Sequence, residues 1–199
     1  MGVPALEIAG CRRAHAALLE GLADLNDERA RRPSLLPGWS VGHVLTHVAR
    51  NADSVVRRLQ GAARGEIVDQ YPGGREGREA EIEAGAGRPA AELVDDVRSS
   101  AVAAEEAAAS FPDDAWDRPT RSLSGAQLPA RAVVFSRWRE VEVHHTDLGI
   151  GHGPREWPQD LVDAWLPQLV SQLAGRADGR SLLAWLLGRG MAPQAPPWG

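Results

Sequence analysis

At 199 residues, 43% hydrophobic and 25% charged, the chain has the length and balance of one globular core with a small appendage, and its composition excludes disorder. A net charge of −5 weighs against a nucleic-acid partner, because phosphate binding needs a concentrated basic face and the pairs Arg12–Arg13, Arg31–Arg32 and Arg57–Arg58 are scattered. One cysteine, Cys11, excludes an internal disulfide and any Cys-x-x-Cys zinc pattern. No apolar run approaches the ~20 residues of a membrane span, and the N-terminus lacks a basic region followed by a long apolar one, so a cytoplasmic protein without a membrane partner is expected.

Ala, Leu, Arg and Glu dominate and alternating β-branched runs are missing, which predicts a mostly helical fold. Leu6, Ala9, Ala14, Leu18, Leu22 and Leu25 recur at helical spacing, predicting a first helix from Pro4 to about Ala30. Cys11 reads there as a structural thiol and His15 as a surface residue without a partner. Pro33-Ser34-Leu35-Leu36-Pro37-Gly38-Trp39 breaks the pattern, and Ser40 is a good N-cap for a second helix from Val41 to about Ala63. Its apolar sector holds Val41, Val44, Leu45, Val48, Ala52, Val55 and Leu59, with His47 and Asn51 at its flank and His43 turned further toward solvent.

Residues 64–88, rich in Gly and charge, read as a long connection with room for a short helix around 75–84. Pro89 opens a third helix to about Ser110, and 111–128 read as a polar loop. A fourth helix starts after Pro129 and ends at Gly149, in the position of a C-terminal cap. Two shorter helices, 158–173 and 180–187, and a Pro-rich tail follow. Four long helices with crossover connections predict an all-α four-helix bundle over 1–150, with a short helical region over 151–199.

In the fourth helix Glu140 and His144 stand at i and i+4, about 40° apart around the axis, so one ion can take both. Val134, Trp138, Val141, His145 and Leu148 form the apolar stripe, the Glu/His pair lies at its edge, and Arg139 and Glu142 point away. The competing reading of Glu140/His144 is a surface helical pair. Glu142/His145 is a rival set, ranked lower because His145 falls mid-stripe, where a hydrogen-bonded core imidazole is the commoner outcome. His47 is the better third ligand. Two imidazoles and one carboxylate suit zinc or another borderline divalent ion with a position left open, which leans catalytic rather than structural. Asp147, one residue short of a turn beyond His144, reads equally as a support for His144 or as a surface acid.

The run Ser34-Leu35-Leu36-Pro37-Gly38-Trp39-Ser40-Val41-Gly42-His43-Val44-Leu45-Thr46-His47-Val48-Ala49-Arg50-Asn51-Ala52-Asp53 resembles the opening motif of the mycothiol-dependent maleylpyruvate isomerase family, a branch of the DinB-like metalloenzyme superfamily. Arg139-Glu140-Val141-Glu142-Val143-His144 with Asp147-Leu148-Gly149, and Leu183-Ala184-Trp185-Leu186-Leu187-Gly188-Arg189 before Pro196-Pro197-Trp198, resemble later motifs of the same family in the same order. The resemblance implies a DinB-like bundle binding zinc or another divalent metal through His47, Glu140 and His144. It implies further that Arg189 is needed for activity and grips a carboxylate; on sequence alone Arg189 is a helix-end cation. Arg50, Asn51 and Arg78 are candidates for contacts to the thiol cofactor, with ordinary surface or hydrogen-bonding roles as the alternative.

The implied reaction is isomerisation of maleylpyruvate to fumarylpyruvate. Mycothiol, held as thiolate by the metal, adds to the double bond, the new single bond rotates, and the thiol leaves. Its partners are then a small electrophilic acid and mycothiol. The family usually has a small α/β domain between Leu173 and the Trp-Leu-Leu-Gly-Arg motif, whereas here 174–180 cross the gap directly, so the C-terminal domain reads as shortened. Two alternatives stand beside the isomerase: a mycothiol S-transferase, in which the thiol stays on the electrophile, and a non-catalytic helical binding module.

Overall fold

Ser40 starts the helix on which the site depends. Its Oγ accepts from His43 N at 3.3 Å while His43 Nδ1 accepts from Ser40 N at 3.2 Å, so two of the free donors at the helix start are satisfied reciprocally. In this computed structural model, which describes residues 2–194, that helix is α3 (Val41–Ala63). The other elements are α1 (Ala5–Gly21), α2 (Asp27–Ala30), α4 (Gly74–Ala86), α5 (Ala90–Ala109), β1 (Pro119–Arg121), β2 (Gln127–Pro129), α6 (Ala130–Asp147), α7 (Gln159–Arg176) and α8 (Gly179–Leu186). The chain is mostly helical, as its composition predicts.

Residues 1–156 and 157–199 form two compact units. In the first, α3 packs against α5 and α6, α1 closes the ring against the same two helices, and α4 lies along α3. The four long helices thus make a bundle in which α1 and α3, consecutive long helices in the chain, sit diagonally. Leu18, Val44, Leu45, Val48, Leu93, Trp138 and Val141 are essentially excluded from solvent and form its core. Helices approach closely where glycine permits: a Cβ on Gly10 would meet the Trp138 ring, so α1 and α6 touch backbone to indole there. Gly149, at φ +66°, ends α6, and its N–H bonds Thr146 O at 3.0 Å. In the second unit α7 and α8 carry the fold, with Asp178 capping α8 through Ser181 N at 2.8 Å.

Three expectations change. The first helix ends at Gly21 and a separate turn, α2, follows, because Asn26 caps Arg29 N at 2.9 Å and restarts the helix. The 111–128 stretch is not only loop: Thr120 pairs with Leu128 in a two-stranded hairpin that delivers the chain to Ala130. Strands this short carry no readable alternation. His15 is not a surface residue. It is 3% exposed, its Nδ1 donates to Glu105 at 2.7 Å, and its Nε2 accepts from Arg137 Nε at 3.1 Å. Both partners lie far away in sequence, where helical spacing on α1 gives no sign of them.

Candidate metal centre

Helix α3 contributes His47 and the neighbouring α6 contributes Glu140 and His144. His47 Nε2 lies 3.1 Å from Glu140 Oε2 and 3.1 Å from His144 Nε2, and the third side of the triangle, His144 Nε2 to Glu140 Oε2, is 3.3 Å. Donors about 2.0–2.2 Å from a tetrahedral zinc are spaced roughly 3.3 Å apart, so the three atoms already have close to the spacing of one tetrahedral face. The two imidazoles stand at 89° to each other. Among the described residues these three are the one group of acids, histidines or cysteines whose donor atoms converge in this way. The residues fit a divalent ion in number, donor type and spacing.

Their electrostatics suit the same role. Burial presses the His47 pKa down to about 4, against the pull of Glu140, and keeps the ring neutral. Burial also opposes charge on Glu140, but the hydrogen bonds from His144 and His47 outweigh it and hold the carboxyl well below the usual range. Burial disfavours charge on His144 too, yet the hydrogen bonds to Asp147 and Glu140 prevail and lift it to about 9. The set therefore carries one proton at neutral pH, which a divalent ion would displace.

Around the ligands, His144 Nδ1 donates to Asp147 Oδ2 at 2.8 Å, which points Nε2 toward the other two donors. Trp39 meets His47 edge-on at 5.7 Å and stacks on His43 at 6.2 Å. Arg78, from α4, sets Nη2 3.3 Å from His47 Nδ1 and holds its guanidinium 5.9 Å from the Trp39 and Tyr71 rings. Of the three residues considered for the thiol cofactor, Arg78 alone touches the ligand set. Arg50 is bound to Asp96 at 2.6 Å and Asp53 at 3.2 Å, and Asn51 Oδ1 accepts from Arg137 at 3.0 Å. Arg189 lies in the second unit just beyond α8, exposed, with Nη1 3.4 Å from Leu187 O.

The rival pair sits elsewhere. Glu142 does not point to solvent but is 5% exposed, because the chain after α6 folds back and sets His152 Nε2 3.6 Å from its carboxylate. His145, also buried, stacks face to face with His152 at 3.8 Å. Helical spacing alone does not reveal such a cover.

Two buried arginines escaped the reading of the sequence. Arg137 is 2% exposed and ties α6 to α3 through Val48 O at 2.8 Å and Asn51 Oδ1 at 3.0 Å, three residues before Glu140. Arg58 is 4% exposed, and burial pushes it down to about 10, so it stays charged at neutral pH. A signal for Arg58 existed: His47, Asn51, Ser54 and Arg58 form one polar line along α3 beside its apolar sector.

The fold is shared with two crystal structures of the mycothiol-dependent maleylpyruvate isomerase. One, of a histidine-to-alanine mutant, superposes with a TM-score of 0.76 at 24% identity over 80% of this chain, which spans 66% of that chain's length. The other superposes with a TM-score of 0.84 at 21% identity over 98% of this chain and 97% of that one. No protein in the curated comparison matches. The family model for the mycothiol maleylpyruvate isomerase N-terminal domain matches residues 11–149, which contain α3, α6 and all three converging donors, and the chain belongs to that family.

Proposed function

We propose that the protein is a divalent-metal enzyme that uses mycothiol to isomerise maleylpyruvate, or a related cis-enone acid, to its trans form. The observation that supports this most is the triangle of His47 Nε2, Glu140 Oε2 and His144 Nε2, with sides of 3.1 to 3.3 Å, in a chain of this family. A zinc ion there would be held by these three residues and would keep the mycothiol sulfur as thiolate near neutral pH. The chain's own residues orient and exclude water: Asp147 fixes the His144 ring, and Trp39 covers one edge of His47. A bundle over 1–150 holds the metal and a shortened helical region over 151–199 follows it; Arg189 in that region is needed for activity, its forked guanidinium being suited to a carboxylate. The protein works in the cytoplasm, where thiols stay reduced.

S-transfer to an electrophile is retained as a second reading because α7 and α8 occupy the region after residue 157 with no strand among the described residues. The two reactions share the thiolate step and differ in whether the thiol leaves. The tail Pro196-Pro197-Trp198 lies outside the described residues.

Elemental analysis of the purified protein beside His47→Ala and Glu140→Ala tests the centre. About one equivalent of zinc, lost in both variants while helical circular dichroism persists, is expected, followed by mycothiol-dependent conversion of maleylpyruvate seen by proton NMR. A wild type that takes up no metal after zinc addition would leave the binding-module reading instead.

A further inference from the structure

One chain of hydrogen bonds joins all four long helices. Glu105 on α5 accepts from His15 Nδ1 on α1 at 2.7 Å, and His15 Nε2 accepts from Arg137 Nε on α6 at 3.1 Å. Arg137 Nη1 then donates to Val48 O at 2.8 Å and Asn51 Oδ1 at 3.0 Å, both on α3. His15, Asn51 and Arg137 are 3%, 2% and 2% exposed, so the chain runs through the interior.

For stability alone this is a costly arrangement. Well-packed apolar side chains of similar volume commonly do as well as buried charge or better, and here Arg137 Nη2 is left without a partner among the described residues. What an apolar contact lacks is direction. A planar guanidinium bound to two acceptors on α3 and one on α1 has its place fixed within the tolerance of a hydrogen bond.

The place it fixes is next to the converging donors. On α3, Val48 directly follows His47 and Asn51 lies one turn on; on α6, Arg137 lies three residues before Glu140 and seven before His144. Contacts pair His47 with Glu140 and His144, and Asn51 with Arg137, so the two helices run antiparallel and the guanidinium is the adjacent rung of one ladder. A slip of α6 by one residue along α3 moves its side chains by about 1.5 Å. That is half of the 3.1 Å that separates His47 Nε2 from each of its two neighbours, enough to spoil the triangle.

We propose that Arg137 is a positioning residue, which holds α6 in the register on α3 at which Glu140 and His144 meet His47, with Asn51 as its acceptor and His15 as its brace. Its consequence for the metal rests on the reading of those three residues as a metal centre. The register itself does not, and it is open to measurement in metal-free protein.

Three readouts test it on the full-length chain: zinc affinity by chelator competition, the ligand-field bands of the cobalt-loaded protein, and cross-relaxation between the His47 and His144 ring protons without metal. The two rings stand 4.6 Å apart between centroids, close enough for that last signal. Asn51→Leu, which keeps the bond to Val48 O, should weaken zinc about 10-fold and shift the cobalt bands, and Arg137→Met should weaken zinc toward 100-fold. Asn51→Asp keeps an acceptor in place and should return the cobalt bands to their wild-type form. Val97→Ala, a core change on α5 outside the chain and 1% exposed, should lower the thermal midpoint and leave all three readouts unchanged.

Zinc affinity within twofold of wild type and an intact ring signal in Asn51→Leu would overturn the proposal, whatever the thermal midpoint does. Equal losses in Val97→Ala would overturn it too, by tracing the effect to instability. A wild type that takes up no zinc, with the ring signal lost in Asn51→Leu, would keep the register role and remove the metal reading. Failure of the two ideas is therefore distinguishable.

Discussion

Asp147 offers the sharpest test of how the ligand set is held. His144 Nδ1 donates to its Oδ2 at 2.8 Å, and the two side chains are only 12% and 16% exposed, so the contact is barely screened. His47 has no equivalent: its Nδ1 faces a guanidinium rather than a carboxylate. The orientation of the imidazole pair therefore leans on Asp147. Carboxylates behind metal-bound histidines are typically worth about 10- to 100-fold in metal affinity, or about 1.4–2.7 kcal/mol. Short length and burial place this one toward the upper end.

Asp147→Ala should weaken zinc by that amount, and Asp147→Asn by less, because the amide oxygen still accepts the proton but carries no charge. Competition against a chromophoric chelator near neutral pH reads both affinities, with circular dichroism to show that the helices persist. Zinc affinity within twofold of wild type in Asp147→Ala would refute the reasoning and return Asp147 to a helix-end acid. That position is a poor one for an unpaired carboxylate, since the C-terminal end of a helix is itself negative.

Arg78 should act in the opposite direction: a neutral His47 bound through Nε2 carries its proton on Nδ1, where Arg78 also presents a donor. Arg78→Met should therefore tighten zinc by up to about fivefold, on the scale of a half-exposed charge interaction of ~1 kcal/mol, and weaker zinc binding would contradict this. Cys11, its Sγ donating to Val134 O at 3.2 Å and its pKa pushed up to about 12 by burial, should resist alkylation in the native state. Rapid stoichiometric labelling without unfolding would disprove that, and Cys11→Ala should leave zinc content unchanged. His15, whose pKa burial lowers despite its bond to Glu105, contributes stability above the ordinary histidine value, and that stability is lost as pH falls below it. Glu105, lowered chiefly by its bond from His15, adds a second loss as pH falls through the carboxylate range. The thermal midpoint should drop more steeply below about pH 6.5 in wild type than in His15→Gln, and parallel curves would count against the assignment.

The parts of this molecule that were legible in the sequence are those written within one helix. Ser40 as a cap, the apolar sector of α3, Glu140 and His144 one turn apart and Gly149 as a stop all follow from local geometry, and each stands in the structure where spacing put it. The meeting of α3 with α6 is different in kind. His47 is 93 residues from Glu140, and no periodicity states which helices are neighbours; its place at the flank of the apolar sector made His47 the better third ligand, and the family motifs named the same residue.

What stayed hidden has one physical cause: buried charge in a helical pattern looks like solvated charge until the partner across the core is known. His15, Arg58, Arg137 and Glu142 each sit at positions that a hydrophobic count assigns to the surface or to the edge of a face. Three of them meet partners across the bundle or in the chain that follows α6: His15 bonds Glu105 and Arg137, Arg137 bonds Val48 O and Asn51 Oδ1 while its Nη2 has no partner among the described residues, and Glu142 lies 3.6 Å from His152 Nε2. Arg58 is the exception, bonded only to the helix that carries it. Arg137 likewise meets no carboxylate among the described residues and leaves its Nη2 buried without a partner, so buried guanidinium in this bundle is held by carbonyl, amide, hydroxyl and imidazole acceptors that hydrophobic spacing does not reveal.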